Sequence, residues 1–430
     1  MLLKNWFAGL SALRRQRRLR RPRCGGQWRL TNLAAECLEV RALLSNIAVT
    51  VQSGVITLTG DAGDHTVNAA VVNGQLELTG SNGTDFTFNG NTATTVDIPL
   101  NNPIKALHVN LLQAGNNALT FDGTNLPTIA GNVVMRLGDG TDTILFENTT
   151  VNGIVDVHAG NGGDTIQVLN VSVRGLAVFT GSGNDSILVS NVTLQGPGQG
   201  QTGSGSNADL VDGNAGKTGH PLVISTGLGD DTVEVNAVVS AGQALGAKWQ
   251  INVGAGNDSV TMDSDYDHGF LAINATGTGN DLVTITNSSF GKQVAVTLPD
   301  GQEQIVLSGD TFGGKVDLAT GIGSGSSISV DASTFQKVAT FTMGGDNAVV
   351  NIETADLAGS GTEFQLPVFI MLKGASGIVN LGTNTVGNKL TFDKVVHITG
   401  GVPAAIVNVV DANVTFNKKV LLSHATRVDS

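Results

Sequence analysis

From about residue 46 onward, apolar and polar residues alternate in short runs. Thr143–Glu147, Thr165–Leu169 and residues 186–190 each carry aliphatic or aromatic side chains at alternate positions. Alternation with period two is the pattern of a half-buried strand, and the abundant Val and Thr suit it. Each run follows a glycine–aspartate phrase. The copies are Gly138-Asp-Gly-Thr-Asp142, Gly160-Asn-Gly-Gly-Asp164, Gly181-Ser-Gly-Asn-Asp185, Gly227-Leu-Gly-Asp-Asp231, Gly254-Ala-Gly-Asn-Asp258 and Gly277-Thr-Gly-Asn-Asp281. Two residues after each Asp stands Ile144, Ile166, Ile187, Val233, Val260 or Val283. First glycines are spaced by 22, 21, 46, 27 and 23 residues; the 46 corresponds to two units or to one unit with an insertion. A period in this range marks a stacked repeat architecture.

A second phrase, Asn-x-Ser/Thr-apolar, falls between the glycine corners. It starts at Asn148, Asn170, Asn191, Asn287 and Asn413, and another apolar strand follows, as at residues 154–157 and 176–179. Two or three short strands with corners in a unit of about 22 residues are the arithmetic of a β-helix coil. The chain is therefore expected to be all-β, a right-handed parallel β-helix (β-solenoid) with an N-terminal β cap. About fourteen coils stacked at about 4.8 Å give a rod of order 65 Å. The Asn phrases also satisfy the N-glycosylation pattern. The reading favoured here is a ladder, each Asn at the same corner of successive coils bonding its neighbour.

Residues 46–104 read as the cap with irregular first coils. Strands are expected at 49–51, 55–59, 75–79 and 86–88, and Asn73-Gly74 signals a hairpin. Residues 105–430 form the helix proper, interrupted at 195–221 by a Gly-, Ser- and Gln-rich excursion from one corner. Beyond residue 300 the glycine corner persists while its Asp fades, so the fold does not depend on that Asp. Lys418 and Lys419 are expected to blunt an open sheet edge.

Charge divides the chain. Of its 24 basic and 36 acidic residues, ten basic and two acidic ones lie in residues 1–41, leaving the remainder at a net charge of −20. An acidic body repels nucleic acid and attracts cations. Both cysteines, Cys24 and Cys37, lie in the basic arm, which excludes a disulfide framework or cysteine metal site in the body. No run is long and apolar enough for a membrane-spanning helix. The arm at 1–45, an arginine cluster followed by Leu38-Glu-Val-Arg-Ala-Leu-Leu-Ser45, resembles the N-terminal segment of planctomycete surface and secreted proteins of the "LEPRxLL" type. Leu38, Glu39, Arg41, Leu43, Leu44 and Ser45 match, and Val40 departs from it. The resemblance implies export to the cell surface or beyond.

The glycine–aspartate phrase resembles half of the RTX nonapeptide, which binds Ca²⁺ in parallel β-rolls. Glycines allow the tight turn and present carbonyls, and Asp supplies the hard oxygen that Ca²⁺ requires. That resemblance makes Asp142, Asp164, Asp185, Asp231, Asp258 and Asp281 candidate Ca²⁺ ligands. True RTX arrays repeat every nine residues, so two loops clasp each ion, whereas here one loop occurs per coil. Stacking is expected to place Asp142, Asp164 and Asp185 in one column and Asp258 and Asp281 in another, where mutual repulsion calls for a cation or protons. The alternative is that each Asp caps the N–H groups of its own turn. Asp263-Ser-Asp-Tyr-Asp267-His-Gly269 resembles the start of an EF-hand loop, with its glycine one place late.

Catalysis finds little support. The body carries only Arg136, Arg174 and Arg427 as arginines, few aromatics other than Phe, and scattered histidines such as His158, read as a strand-end side chain. The expected function is an exported structural or adhesive surface protein whose corners bind Ca²⁺, not an enzyme. Its partner is not named by the sequence; cell-envelope components and polysaccharide are the candidates. A carbohydrate-active β-helix enzyme and a passive spacer without a ligand are the alternatives.

Overall fold

The computed structural model describes residues 45–429 apart from 101–102, 114, 195–221, 240–247, 265, 268, 356–360, 385–387 and 411, with side chains except at 237–239, 248 and 266–267. The basic arm and the excursion at 195–221 lie outside the described residues. The described chain contains strands, turns and bends but no helix, and belongs to one compact unit beginning at Leu43.

The strands wind into three stacked faces, as expected for a parallel β-solenoid. On the first face Ala106–Leu111, Val133–Leu137, the second half of Thr150–His158, the second half of Ser172–Phe179, Leu222–Ser225 and Lys248–Val253 pair in parallel order. The same face continues to Val396–Thr399 and Val420–Ser423. On the second face Ala118–Asp122, Thr143–Glu147, Thr165–Leu169, Ser186–Leu194 and Thr232–Val239 begin a ladder that ends at Ala425–Asp429. The third face is narrow, made of pairs such as Ser289–Phe290, Thr311–Phe312 and Thr334–Phe335. Ser186 lies directly opposite Thr232, so the 46-residue interval is one coil with an insertion.

Alternation fixes which side chains enter the coil. Ile144, Ile166, Ile187, Val233, Val260 and Val283, the residues that follow the glycine–aspartate phrases, are each at most 1% exposed and stack in the core. Burial of such a side chain contributes about 1.5–3 kcal/mol, and each rung repeats it. On the third face the inward column changes from Val151, Val173 and Leu194 to a run of phenylalanines. Phe290, Phe312, Phe335, Phe364, Phe392 and Phe416 stack ring on ring at centroid distances of 6.0, 4.8, 4.4, 5.1 and 5.2 Å.

At the N-terminal end two antiparallel hairpins, Ser45–Gln52 with Val55–Gly60 and Thr66–Val72 with Gln75–Ser81, provide the first rung. Val55–Gly60 and Thr66–Val72 pair in parallel with Ala106–Leu111 and Ala118–Asp122. Asn73 and Gly74 both take positive φ, 52° and 75°, the geometry of a tight hairpin turn. At the other end Arg427 occupies an inward register position opposite Val407 and lies 5.3 Å from the centre of the Phe416 ring, while also pairing with Asp429. Lys418 and Lys419 stand in the turn between Val414–Phe416 and Val420–Ser423.

Candidate functional site: a buried carboxylate column

The glycine corner is built by close contact between coils. Gly162 and Gly183 have φ of 150° and 148°, and a Cβ on either would lie 1.6 Å from the carbonyl oxygen of the glycine one coil before, Gly140 and Gly162 respectively. Only glycine fits where successive backbones approach so closely. The stack survives loss of the aspartate: a Cβ on Gly323, Gly345 or Gly374 would lie 2.0 Å or less from Gly301, Gly323 or Gly345 carbonyl oxygen.

At the following position the aspartates form one continuous ladder. The backbone N–H of Asp142 donates to Asp164 Oδ1, Asp164 N–H to Asp185 Oδ1, Asp185 N–H to Asp231 Oδ1 and Asp231 N–H to Asp258 Oδ1, all at 2.9 Å. Asp258 N–H continues it to Asp281 Oδ1 at 3.0 Å. Asn117 N–H donates to Asp142 at the head, Asp281 N–H to Glu303 Oε2, and Glu303 N–H to Ser326 Oγ at the foot. The expectation of two separate columns is thus corrected: Asp231 joins them, because the insertion leaves its coil in register. Capping within one turn is also corrected for these residues, since each Oδ1 accepts from the neighbouring coil.

The column is buried. The six aspartates are 5% exposed or less, and Glu303 is 0% exposed. While Oδ1 is engaged, Oδ2 of Asp142, Asp164, Asp185, Asp231 and Asp258, with Glu303 Oε1, has no partner at hydrogen-bonding geometry. Burial pushes the Asp142 carboxyl up to about 6 and those of Asp164, Asp258 and Glu303 up to about 7. The charges of Asp142 and Asp185 add to the rise at Asp164. Asp231 and Asp281 are raised by burial too, the facing Thr226 hydroxyl opposing the rise at Asp231. A line of desolvated carboxylates, all but Asp281 with one unsatisfied oxygen, favours a proton or a cation beside it.

Two exposed ladders run beside this column. At the second position of the phrase Asp139 Oδ1 accepts from Asn161 N–H and Asn161 Oδ1 from Ser182 N–H. At the fourth, Asn184 Oδ1 accepts from Asp230 N–H, Asp230 Oδ1 from Asn257, Asn257 Oδ1 from Asn280 and Asn280 Oδ1 from Gln302. At the other phrase the expected asparagine ladder forms where Asn170 Nδ2 donates to Asn148 and Asn191 Nδ2 to Asn170, at 3.1 and 2.7 Å. These three take φ of 52–55°. Asn287 bonds Asp263 instead, and Asn413 Nδ2 donates to the Thr383 carbonyl, so these two depart from an Asn–Asn ladder. Asp263 is thereby a corner acceptor, its carboxyl held low by Asn287 and Thr286; Asp265 and His268 of the EF-hand-like stretch lie outside the described residues. Asp310, 1% exposed, accepts from the Ser288 and Ser308 N–H groups, and burial pushes its carboxyl up to about 8.

The sequence did not single out a cluster on the outward side of the first face. Asp156, whose side chain is 6% exposed, stands 3.0 Å from His158 Nε2 and 3.5 Å from Arg136 Nη2. The histidine contact is short but off the line of a hydrogen bond, leaving an ion pair if the ring is protonated. His158 also stacks on Phe179 at 4.7 Å. Arg136 and His158 are 22 residues apart, one unit of the repeat; that spacing with the two-residue step to Asp156 was the available signal.

Among the described residues no group of three or more His, Cys, Asp and Glu converges as a compact metal cluster; the carboxylates form a line instead. Comparison with protein-family models, with characterised proteins and with solved structures finds no match.

Proposed function

We propose that this chain is an exported structural or adhesive β-solenoid whose Gly-x-Gly-x-Asp corners take up Ca²⁺ along the buried aspartate column. The observation that carries the cation reading is the row of buried, unpartnered Oδ2 atoms from Asp142 to Asp258. These oxygens recur once per coil, at the stacked-strand repeat of about 4.8 Å, and carboxylate oxygen is the hard ligand type that Ca²⁺ would take. Corner carbonyls and hydroxyls such as Thr226 would complete its oxygen shell. The ion would offset carboxylate repulsion and fasten one coil to the next. Export rests on the resemblance of the arm, and the structural role on the repeated scaffold.

A passive spacer, with protons in place of the ion, is favoured by one observation: the raised carboxyls of Asp164 and Asp258 lie near neutrality. Thermal melts at pH 8 separate the two readings. Ca²⁺ is expected to raise the midpoint relative to chelator, and the rise should shrink in Asp164→Asn. An identical midpoint with calcium and with chelator would sink the cation reading.

A further inference from the structure

Arg136, His158 and Phe179 occupy the same register position on three successive strands of the first face. Their chain neighbours Met135, Val157 and Val178 are each 0% exposed in the core, so these three side chains point outward. Asp156 shares that outward side and is buried between the guanidinium and the imidazole. Its two oxygens divide, Oδ2 accepting a long hydrogen bond of 3.5 Å from Arg136 and Oδ1 lying 3.0 Å from the His158 ring without one. Among the described residues His158 Nδ1 and Arg136 Nε and Nη1 have no hydrogen-bond partner and are not buried; the two side chains are 29% and 28% exposed.

Local charge makes this surface unlike the rest of the acidic body. Outward positions on adjoining strands, His108, Asn110, Val223, Ser225, Gln250 and Asn252, add no second carboxylate. Acidic side chains gather on the second face instead, at Asp122, Glu147, Glu234 and Asp263. A polyanion therefore meets fewer carboxylates on these strands than on the second face; exposed Asp139, at the corner that follows Arg136, is the acidic group it must pass.

We propose that Arg136, His158 and Phe179 form a recognition site for carboxylate-bearing glycans, with Asp156 as the residue that positions the two polar side chains. The proposal rests on the adhesive reading and supplies its partner class. A guanidinium with open nitrogens pairs a carboxylate by charge-assisted hydrogen bonds. The adjacent imidazole offers a further polar contact, and the half-buried Phe179 ring an apolar platform for a sugar face.

The test is calorimetric titration of the full chain, at low salt, with an oligogalacturonate and with its methyl-esterified form. The acid form is expected to bind and the ester to bind about tenfold more weakly or not at all. Arg136→Ala should lose about tenfold or more in affinity, and Arg136→Lys less. Because Arg136→Ala leaves Asp156 without its cation, the double variant Arg136→Gln/Asp156→Asn serves as a neutral replacement, expected to keep the calcium response of the melt while losing the glycan. No binding of the acid form, equal binding of the ester, or undiminished binding by the double variant each overturns the proposal. The calcium melt on the same samples reports separately on the corner column, so the two readings fail independently.

Discussion

Asp185 accepts the Asp164 N–H at Oδ1 and donates its own N–H to Asp231. Asp185→Ala removes the acceptor and strands a buried N–H, a loss of about 1–3 kcal/mol by urea unfolding. Asp185→Asn keeps an acceptor oxygen and removes a charge from the column. At pH 8 in chelator it is expected to match or exceed the parent, and a loss as large as that of Asp185→Ala would contradict the column electrostatics. The glycine beside it tolerates nothing larger. Gly183→Ala would press a methyl against the Gly162 carbonyl, and the expected cost exceeds about 3 kcal/mol, seen as a collapse of the cooperative transition.

Elements repeat these residues, which is why so much of the fold could be read from the chain. Alternation placed Ile144, Ile166 and Ile187 in the core, and all three are there. The Asn73-Gly74 hairpin and the Asn148–Asn170–Asn191 ladder follow from the same local grammar. What remained hidden needs register. The interval of 46 residues does not say whether a coil is missing, so the join at Asp231 was not legible. Glu303 was obscured because its longer side chain enters the column from a phrase without the final Asp. The phenylalanine stack lies across six strands, and no single repeat announces it. Phe335, at the middle of that stack, touches rings on both sides. Phe335→Ala is expected to cost about 3–5 kcal/mol in denaturant titrations, and Phe335→Leu clearly less.

Over the whole molecule, the column ties stability to acidity. The folded carboxyls of Asp142, Asp164, Asp258 and Glu303 lie near 6 or 7, above their ordinary values of 3.8 or 4.5. Between those limits the folded chain binds more protons than the unfolded one, so unfolding free energy falls as pH rises. The stabilisation is fully present below about pH 4 and is lost as pH passes through 6 to 7. Melts in chelator should therefore show a midpoint that declines from pH 4.5 to 7.5, with the decline reduced in Asp164→Asn. Calcium at pH 8 would restore what the lost protons supplied. A crystal structure of the calcium-soaked protein at pH 8 decides whether the carboxylate column holds cations. On the cation reading, ion density is expected beside the Oδ2 atoms of Asp142, Asp164 and Asp185, at Ca²⁺–oxygen distances of about 2.3–2.6 Å. Carboxylates stacked at that pH with no ion between them would contradict it.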